Sequence, residues 1–202
     1  MRGGLLAAAL AAQIPFFGPL DTSAPVPYWI GAGQGVDGFA SGDPALARWA
    51  LEAWQQAAGG PLAFRPASRN QALVRLQWVS GAGGRYGEMR PMEVGGKRGA
   101  EVFVQPSTDS LGEEIAREAR RDPLFRDSVV YLTCLHELGH ALGLEHTADY
   151  ADIMYFFGHG GDIRNYFLRY RRLLKTRQDI PKHPGLSSSD VARLRRLYGT
   201  PR

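Results

Sequence analysis

His136-Glu137-Leu138-Gly139-His140-Ala141-Leu142-Gly143-Leu144-Glu145-His146 is the stretch that decides how the rest of the chain is read. It has the form H-E-x-x-H-x-x-G-x-x-H, and each fixed position has a chemical task. His136 and His140 are four apart, so on a helix they stack on one face and can share a zinc ion. Glu137 is adjacent, and its carboxylate can reach a water held by that ion. Gly143 can end the helix in a left-handed conformation that side chains with a Cβ avoid. The chain then turns back so that His146 supplies a third nitrogen. Three protein ligands leave the fourth tetrahedral position open, as catalytic rather than structural zinc requires.

The competing reading is a helix whose histidines are simply buried and hydrogen-bonded. Composition argues against it, because the chain has five histidines and three of them fall in this one run.

A second element follows at a fitting distance, Asp152-Ile153-Met154-Tyr155. Together the two elements resemble the metzincin zinc endopeptidases, in which a methionine turn lies beneath the zinc. Thr147, the Met154-Tyr155 pair and the closing stretch Leu186 to Gly199 are similar to the matrixin branch of that group. The resemblance spans roughly Tyr28 to Gly199. It is sharp from Val130 to Tyr155 and in the last helix, and loose elsewhere. It implies an α+β, metzincin-like single domain with a twisted mixed sheet backed by long helices. It also implies a zinc-dependent endopeptidase with polypeptide substrates, one catalytic zinc on His136, His140 and His146, and a zinc-bound water activated by Glu137. Met154 would be a soft floor under the imidazoles, with Gly143 and Tyr155 in support. Two other readings use the same residues: a zinc hydrolase of a non-protein amide, and a catalytically idle zinc-binding adhesion or interaction module. Calcium is compatible with the resemblance, but no motif supports it.

The sequence departs from the matrixins in two places. Their second, structural zinc is held by histidines ahead of the active-site helix, and no histidine precedes His136 here. The other departure is a long segment between Tyr155 and Leu186. Ile163, Tyr166, Phe167, Tyr170, Leu173 and Leu174 recur there at helical spacing, with basic residues interleaved. An extra amphipathic helix over 163–177 is expected, ahead of the C-terminal helix. Its apolar face would pack on the domain, or the stretch would dock an anionic surface or partner, or it would shape the primed side of the cleft. His159 and His183 read as ordinary loop residues.

The 202 residues suffice for one domain with a full core. A net charge of +4 is mildly basic, and no zinc finger, RNA-binding pattern or phosphate loop accompanies it, so nucleic acid is not an expected partner. Cys134 is the sole cysteine, which excludes an intrachain disulfide; it reads as a small buried hydrophobe. Residues 1–24, with Arg2 ahead of a Leu/Ala run, read as a signal peptide or N-terminal tail, and residues 25–202 as the catalytic domain. A secreted or extracytoplasmic monomer without a transmembrane segment is expected. Nothing resembles the cysteine-bearing propeptide of animal matrixins, so activity without prodomain removal is expected.

Strands are expected at Tyr28 to Ile30, Leu62 to Phe64, Val74 to Trp78, Tyr86 to Met89 and Val102 to Val104, with a turn over 81–84. Asp43 is expected to cap a helix with Pro44 at its first position, ended by Gly59-Gly60. A charged helix over 111–121 should break at Pro123, and Asp127 should cap the active-site helix. Ser187 and Asp190 have the spacing of a capping box for the last helix, with Leu186 stapling onto Val191, and Val191, Leu194, Leu197 and Tyr198 are expected on the buried face.

Overall fold

The computed structural model describes residues 18–81 and 86–199. Most of the expected signal segment and most of the expected 81–84 turn lie outside those residues. Five strands, β1 (Val26–Ile30), β2 (Phe64–Pro66), β3 (Val74–Trp78), β4 (Gly87–Val94) and β5 (Lys97–Val104), form a mixed sheet in the order β2-β1-β3-β5-β4. The first four in that order run parallel, and β4 runs antiparallel to β5 at one edge. Period-two patterning places the buried residues: Val74, Leu76 and Trp78 of β3, and Ala100, Val102 and Val104 of β5. The long helices α1 (Asp43–Ala58) and α3 (Pro123–Ala141) pack on each other, and α3 also packs on β4 and β5. This is the α+β, metzincin-like single domain implied by the resemblance.

Several expected boundaries move, for identifiable reasons. The N-cap of α1 is Gly42, and Asp43 is its first residue. Asp43 is fully buried, and its carboxylate accepts from the Ala40 amide and pairs with both terminal nitrogens of Arg126. A charge that deep goes to the guanidinium fork rather than to its own helix end. Strand β2 starts at Phe64 because Val26 pairs with Phe64; Leu62 instead enters the core. β4 and β5 are longer than expected and are joined through Gly95 and Gly96, whose φ values of 58° and 75° suit a two-residue hairpin turn.

The charged helix α2 spans Glu113–Arg121. Pro123 begins the next helix rather than merely ending this one. Asp122, not Asp127, caps α3, accepting from the amides of Leu124 and Phe125 with Pro123 at the first turn. Asp127 lies inside α3 and pairs with Arg126 and Arg177.

The extra helix α4 runs only from Ile163 to Arg171, not to 177. Its end follows from competition for amides: Asp179 accepts from Lys175 and Thr176 and closes a capping box that opens a 3-10 segment, Arg177–Lys182. Tyr166, Phe167, Tyr170 and Leu174 are buried as the periodicity implied, whereas Leu173 is 53 % exposed in the turn. The last helix, α5 (Ser188–Tyr198), has the expected Ser187–Asp190 capping box; Leu194 and Tyr198 are buried.

Candidate metal centre

The last turns of α3 present His136, Glu137 and His140 on the side facing β4 and the segment after the helix. Beyond Ala141 the chain reverses: the Gly143 amide donates to the His140 carbonyl and the Leu144 amide to the Gly139 carbonyl. Gly143 has a φ of 94°, a backbone state that favours glycine. This reversal brings His146 back to the helix.

The three imidazole rings converge, with centroids 4.5 to 5.2 Å apart. The His146 Nε2 is 3.3 Å from Nε2 of His136 and 3.1 Å from Nε2 of His140. One ligand atom from each residue lies within 4.8 Å of the others. The opposite nitrogens of two rings are fixed by backbone: His136 Nδ1–H donates to the Ile153 carbonyl at 2.7 Å and His140 Nδ1–H to the Leu144 carbonyl at 2.8 Å. Such contacts set the tautomer and leave the Nε2 lone pairs facing inward.

Electrostatics favour the same state. Burial, with the neighbouring His140, pushes the pKa of His136 down to about 3. Burial lowers that of His140 to about 4. His146 is lowered by burial and then by His159. All three rings are neutral near pH 7, the form that binds a metal. A borderline ion such as zinc suits three converging imidazole nitrogens, so this donor set fits the implied metal.

The turn over Asp152 to Tyr155 sits beneath the cluster. Its backbone is tied to the third-histidine segment, because the Thr147 amide donates to the Met154 carbonyl and the Phe156 amide to the Thr147 carbonyl. Met154 is fully buried against Gly139; a Cβ on Gly139 would overlap the Met154 sulfur and lie 3.0 Å from Trp54. Trp54 donates from Nε1 to the Leu135 carbonyl at 2.9 Å, joining α1 to α3 one turn before His140. Tyr155 is buried, and its hydroxyl donates to the Gly160 carbonyl at 3.1 Å.

The histidines and Glu137 open onto a cleft of about 940 Å3. Gly87, Glu88 and Met89 of the edge strand β4 line one side, and Leu132, Tyr155, Ile163, Tyr166 and Phe167 give the other an apolar character. Helix α4 therefore forms part of the cleft wall. Its cations are largely engaged in holding the fold: Arg164 pairs with Glu118, Arg171 with Asp122, and Arg169 lies over the rings of Tyr150 and Tyr166; Arg177, in the 3-10 segment that follows, pairs with Asp127.

Four contributors were not legible locally. Asp190, the capping-box acid of α5, also accepts from the Ile153 amide at 2.8 Å, and Ser187 Oγ donates to Asp152 at 2.6 Å. Gly87 packs directly against Glu137. Phe156, 45 % exposed, lies with its ring 4.8 Å from that of His146. Only the exposed aromatic character of Phe156 could have drawn notice in the sequence. Among the described residues, the group able to hold a metal comprises His136, His140 and His146 and does not include His159 or His183.

A mixed sheet with an antiparallel edge strand over a cluster of three histidines, two on the helix and one just beyond it, is the metzincin-type arrangement. The family model described as Matrixin matches residues 41–168, and the chain belongs to the matrixin family. It is 32 % identical over 107 residues to interstitial collagenase of Sus scrofa, covering 52 % of this chain and 22 % of that protein. It is 28 % identical over 165 residues to matrix metalloproteinase-15 of Homo sapiens, covering 76 % of this chain and 21 % of that protein. Macrophage metalloelastase of Oryctolagus cuniculus is 30 % identical over 108 residues, 52 % of this chain and 22 % of that protein. The chain thus spans about a fifth of the length of these relatives. Family membership supports a metalloprotease, and the histidine triad is compatible with it. No helix among the described residues is long and apolar enough to cross a membrane.

Proposed function

We propose that this chain is a zinc-dependent endopeptidase, with His136, His140 and His146 holding the ion and Glu137 acting as general base. The observation that carries the reading is the convergence of three neutral imidazoles beside a carboxylate, on a cleft walled by an edge strand. When bound, the zinc ion supplies Lewis acidity, bringing the pKa of a coordinated water toward about 7 and polarising the scissile carbonyl.

The remaining work falls to the chain itself. Glu137 takes the proton of the attacking water and returns it to the leaving amine, which otherwise departs poorly as an anion. Strand β4 ends the sheet, so an extended substrate can pair with its outer edge by β-augmentation, placing one peptide bond over the histidines. Apolar side chains of α4 and the Met154 turn receive a substrate side chain and exclude water. The Ile153 and Leu144 carbonyls keep His136 and His140 in one tautomer. On this reading residues 25–202 are the catalytic domain, acting as a monomer outside the cytoplasm.

The test is purified protein with an unstructured polypeptide and with fluorogenic peptides, with and without chelator. Internal cleavage that stops on chelation and returns with zinc is expected. Glu137→Ala should keep its zinc and lose roughly 100-fold or more in kcat. Hydrolysis of a non-peptide amide with no peptide cleavage would overturn the endopeptidase reading. Retained activity in Glu137→Ala would overturn the assignment of the base.

A further inference from the structure

Glu137 is 7 % exposed, and one of its neighbours is a position without a side chain. A Cβ at Gly87 would lie 2.5 Å from Glu137 Oε1, 2.8 Å from Cγ and 2.9 Å from Cδ. Real Cβ atoms essentially never approach other atoms that closely. Any residue larger than glycine at this point of β4 would therefore displace the whole carboxyl end of Glu137.

The backbone does not explain this glycine. Gly87 lies in a regular strand, paired with Val104, and is not among the glycines with positive φ. An L-residue could adopt its conformation without strain. The atoms it would strike belong to the far end of a flexible side chain, so the fold could absorb the clash by letting Glu137 rotate. The cost would fall on the position of the carboxylate instead. For most glutamates that would be harmless. For a general base it would not, since proton transfer needs hydrogen-bond reach to the reacting water.

We infer that Gly87 is a positioning residue of the site: its missing side chain sets where the Glu137 carboxylate stands, and so sets the efficiency of proton transfer. The inference rests on the reading of Glu137 as general base. Gly87 reaches no substrate through a side chain, and alanine there keeps the N–H and C=O groups by which β4 could pair with a substrate.

The experiment compares the parent, Gly87→Ala, Glu137→Ala and the double variant as zinc-loaded full chains, together with crystal structures of the parent and Gly87→Ala. In Gly87→Ala the Glu137 carboxylate should be displaced by about 1 Å, the gap between 2.5 Å and an ordinary contact near 3.4 Å. Zinc content should be unchanged and the melting temperature should stay within about 3 °C of the parent. The value of kcat should fall about 100-fold with KM little altered, as expected for a misplacement near 1 Å. The pH–rate profile should shift on its acidic limb. Because Gly87 acts through Glu137, the same substitution should leave the residual rate of Glu137→Ala unchanged. An unmoved carboxylate would overturn the inference. So would a loss of activity that tracks loss of zinc or of folded protein, or that recurs in the Glu137→Ala background. A displaced carboxylate with an undiminished rate would leave the geometry standing and sink the reading of Glu137 as base.

Discussion

Asp190 accepts the Ile153 amide at 2.8 Å, and the carbonyl of the same Ile153 accepts Nδ1–H of His136 at 2.7 Å. One peptide-linked residue thus connects the cap of the last helix to an imidazole of the candidate metal centre. Burial raises the pKa of Asp190 despite its backbone donors, so its environment is dry and its contacts are hard to replace. Asp190→Ala should leave the Ile153 and Ser187 amides without their partner and loosen the turn under the cluster. Zinc affinity should fall about tenfold, the lower end of what outer contacts to metal ligands supply. Competition with a calibrated chelator measures it; unchanged affinity would show that the turn holds its shape without α5.

Gly139 faces the Met154 sulfur and the Trp54 ring from inside α3. Alanine is a better helix former than glycine, but here its methyl has no space. Gly139→Ala should destabilise by about 1–3 kcal/mol through overpacking. Chemical denaturation of zinc-free protein reads this directly. A gain in stability would mean that Met154 repacks freely.

Asp122 caps α3 and pairs with Arg171 of α4 at 2.7 Å. Burial pushes its pKa up, but the Arg171 contact and the Leu124 and Phe125 amides outweigh that and hold it below the ordinary carboxylate value. A carboxylate whose folded pKa is depressed stabilises the fold above its unfolded pKa, near about 3.9, and loses that contribution as pH falls through the folded value. Asp122→Ala should therefore cost about 1–2 kcal/mol near neutral pH. The gap to the parent should close as pH drops below about 3.9. Parallel melts across acidic pH would test it; a gap independent of pH would assign the effect to something other than the charge.

Leu173 and Leu174 are adjacent but differ in environment, 53 % against 4 % exposed. Leu174→Ser should cost about 2–5 kcal/mol, as truncation of a buried leucine does. Leu173→Ser should stay within about 0.5 kcal/mol. Equal effects in denaturant melts would contradict the helix end at Arg171. A stability-neutral Leu173→Ser that abolishes binding to anionic vesicles would restore a docking role for this stretch.

The candidate site was legible because it is local. His136, Glu137 and His140 occupy one helical turn, and Gly143 lets the chain bring His146 back within six residues of His140. Period-two alternation gave β3, and Ser187 with Asp190 gave the start of α5, since a capping box is satisfied within three residues. The caps of α1 and α3 were less legible. Asp43 and Asp127 look like caps in the sequence, but their carboxylates are claimed by Arg126 and Arg177 from elsewhere in the chain. The end of α4 was masked in the same way: Asp179 takes the amides that a continuing helix would need.

The sequence by itself determined the candidate ligand set, the candidate base and the order of strands and helices, because each rests on spacing within a few residues. Only the tertiary structure decided what holds that set in place. Ile153 on His136, Asp190 on Ile153, Met154 and Trp54 against Gly139, and Gly87 beside Glu137 all join residues distant in sequence. Their partnerships depend on distance and burial, and a linear pattern carries neither until the sheet, α1, α3 and α5 have packed.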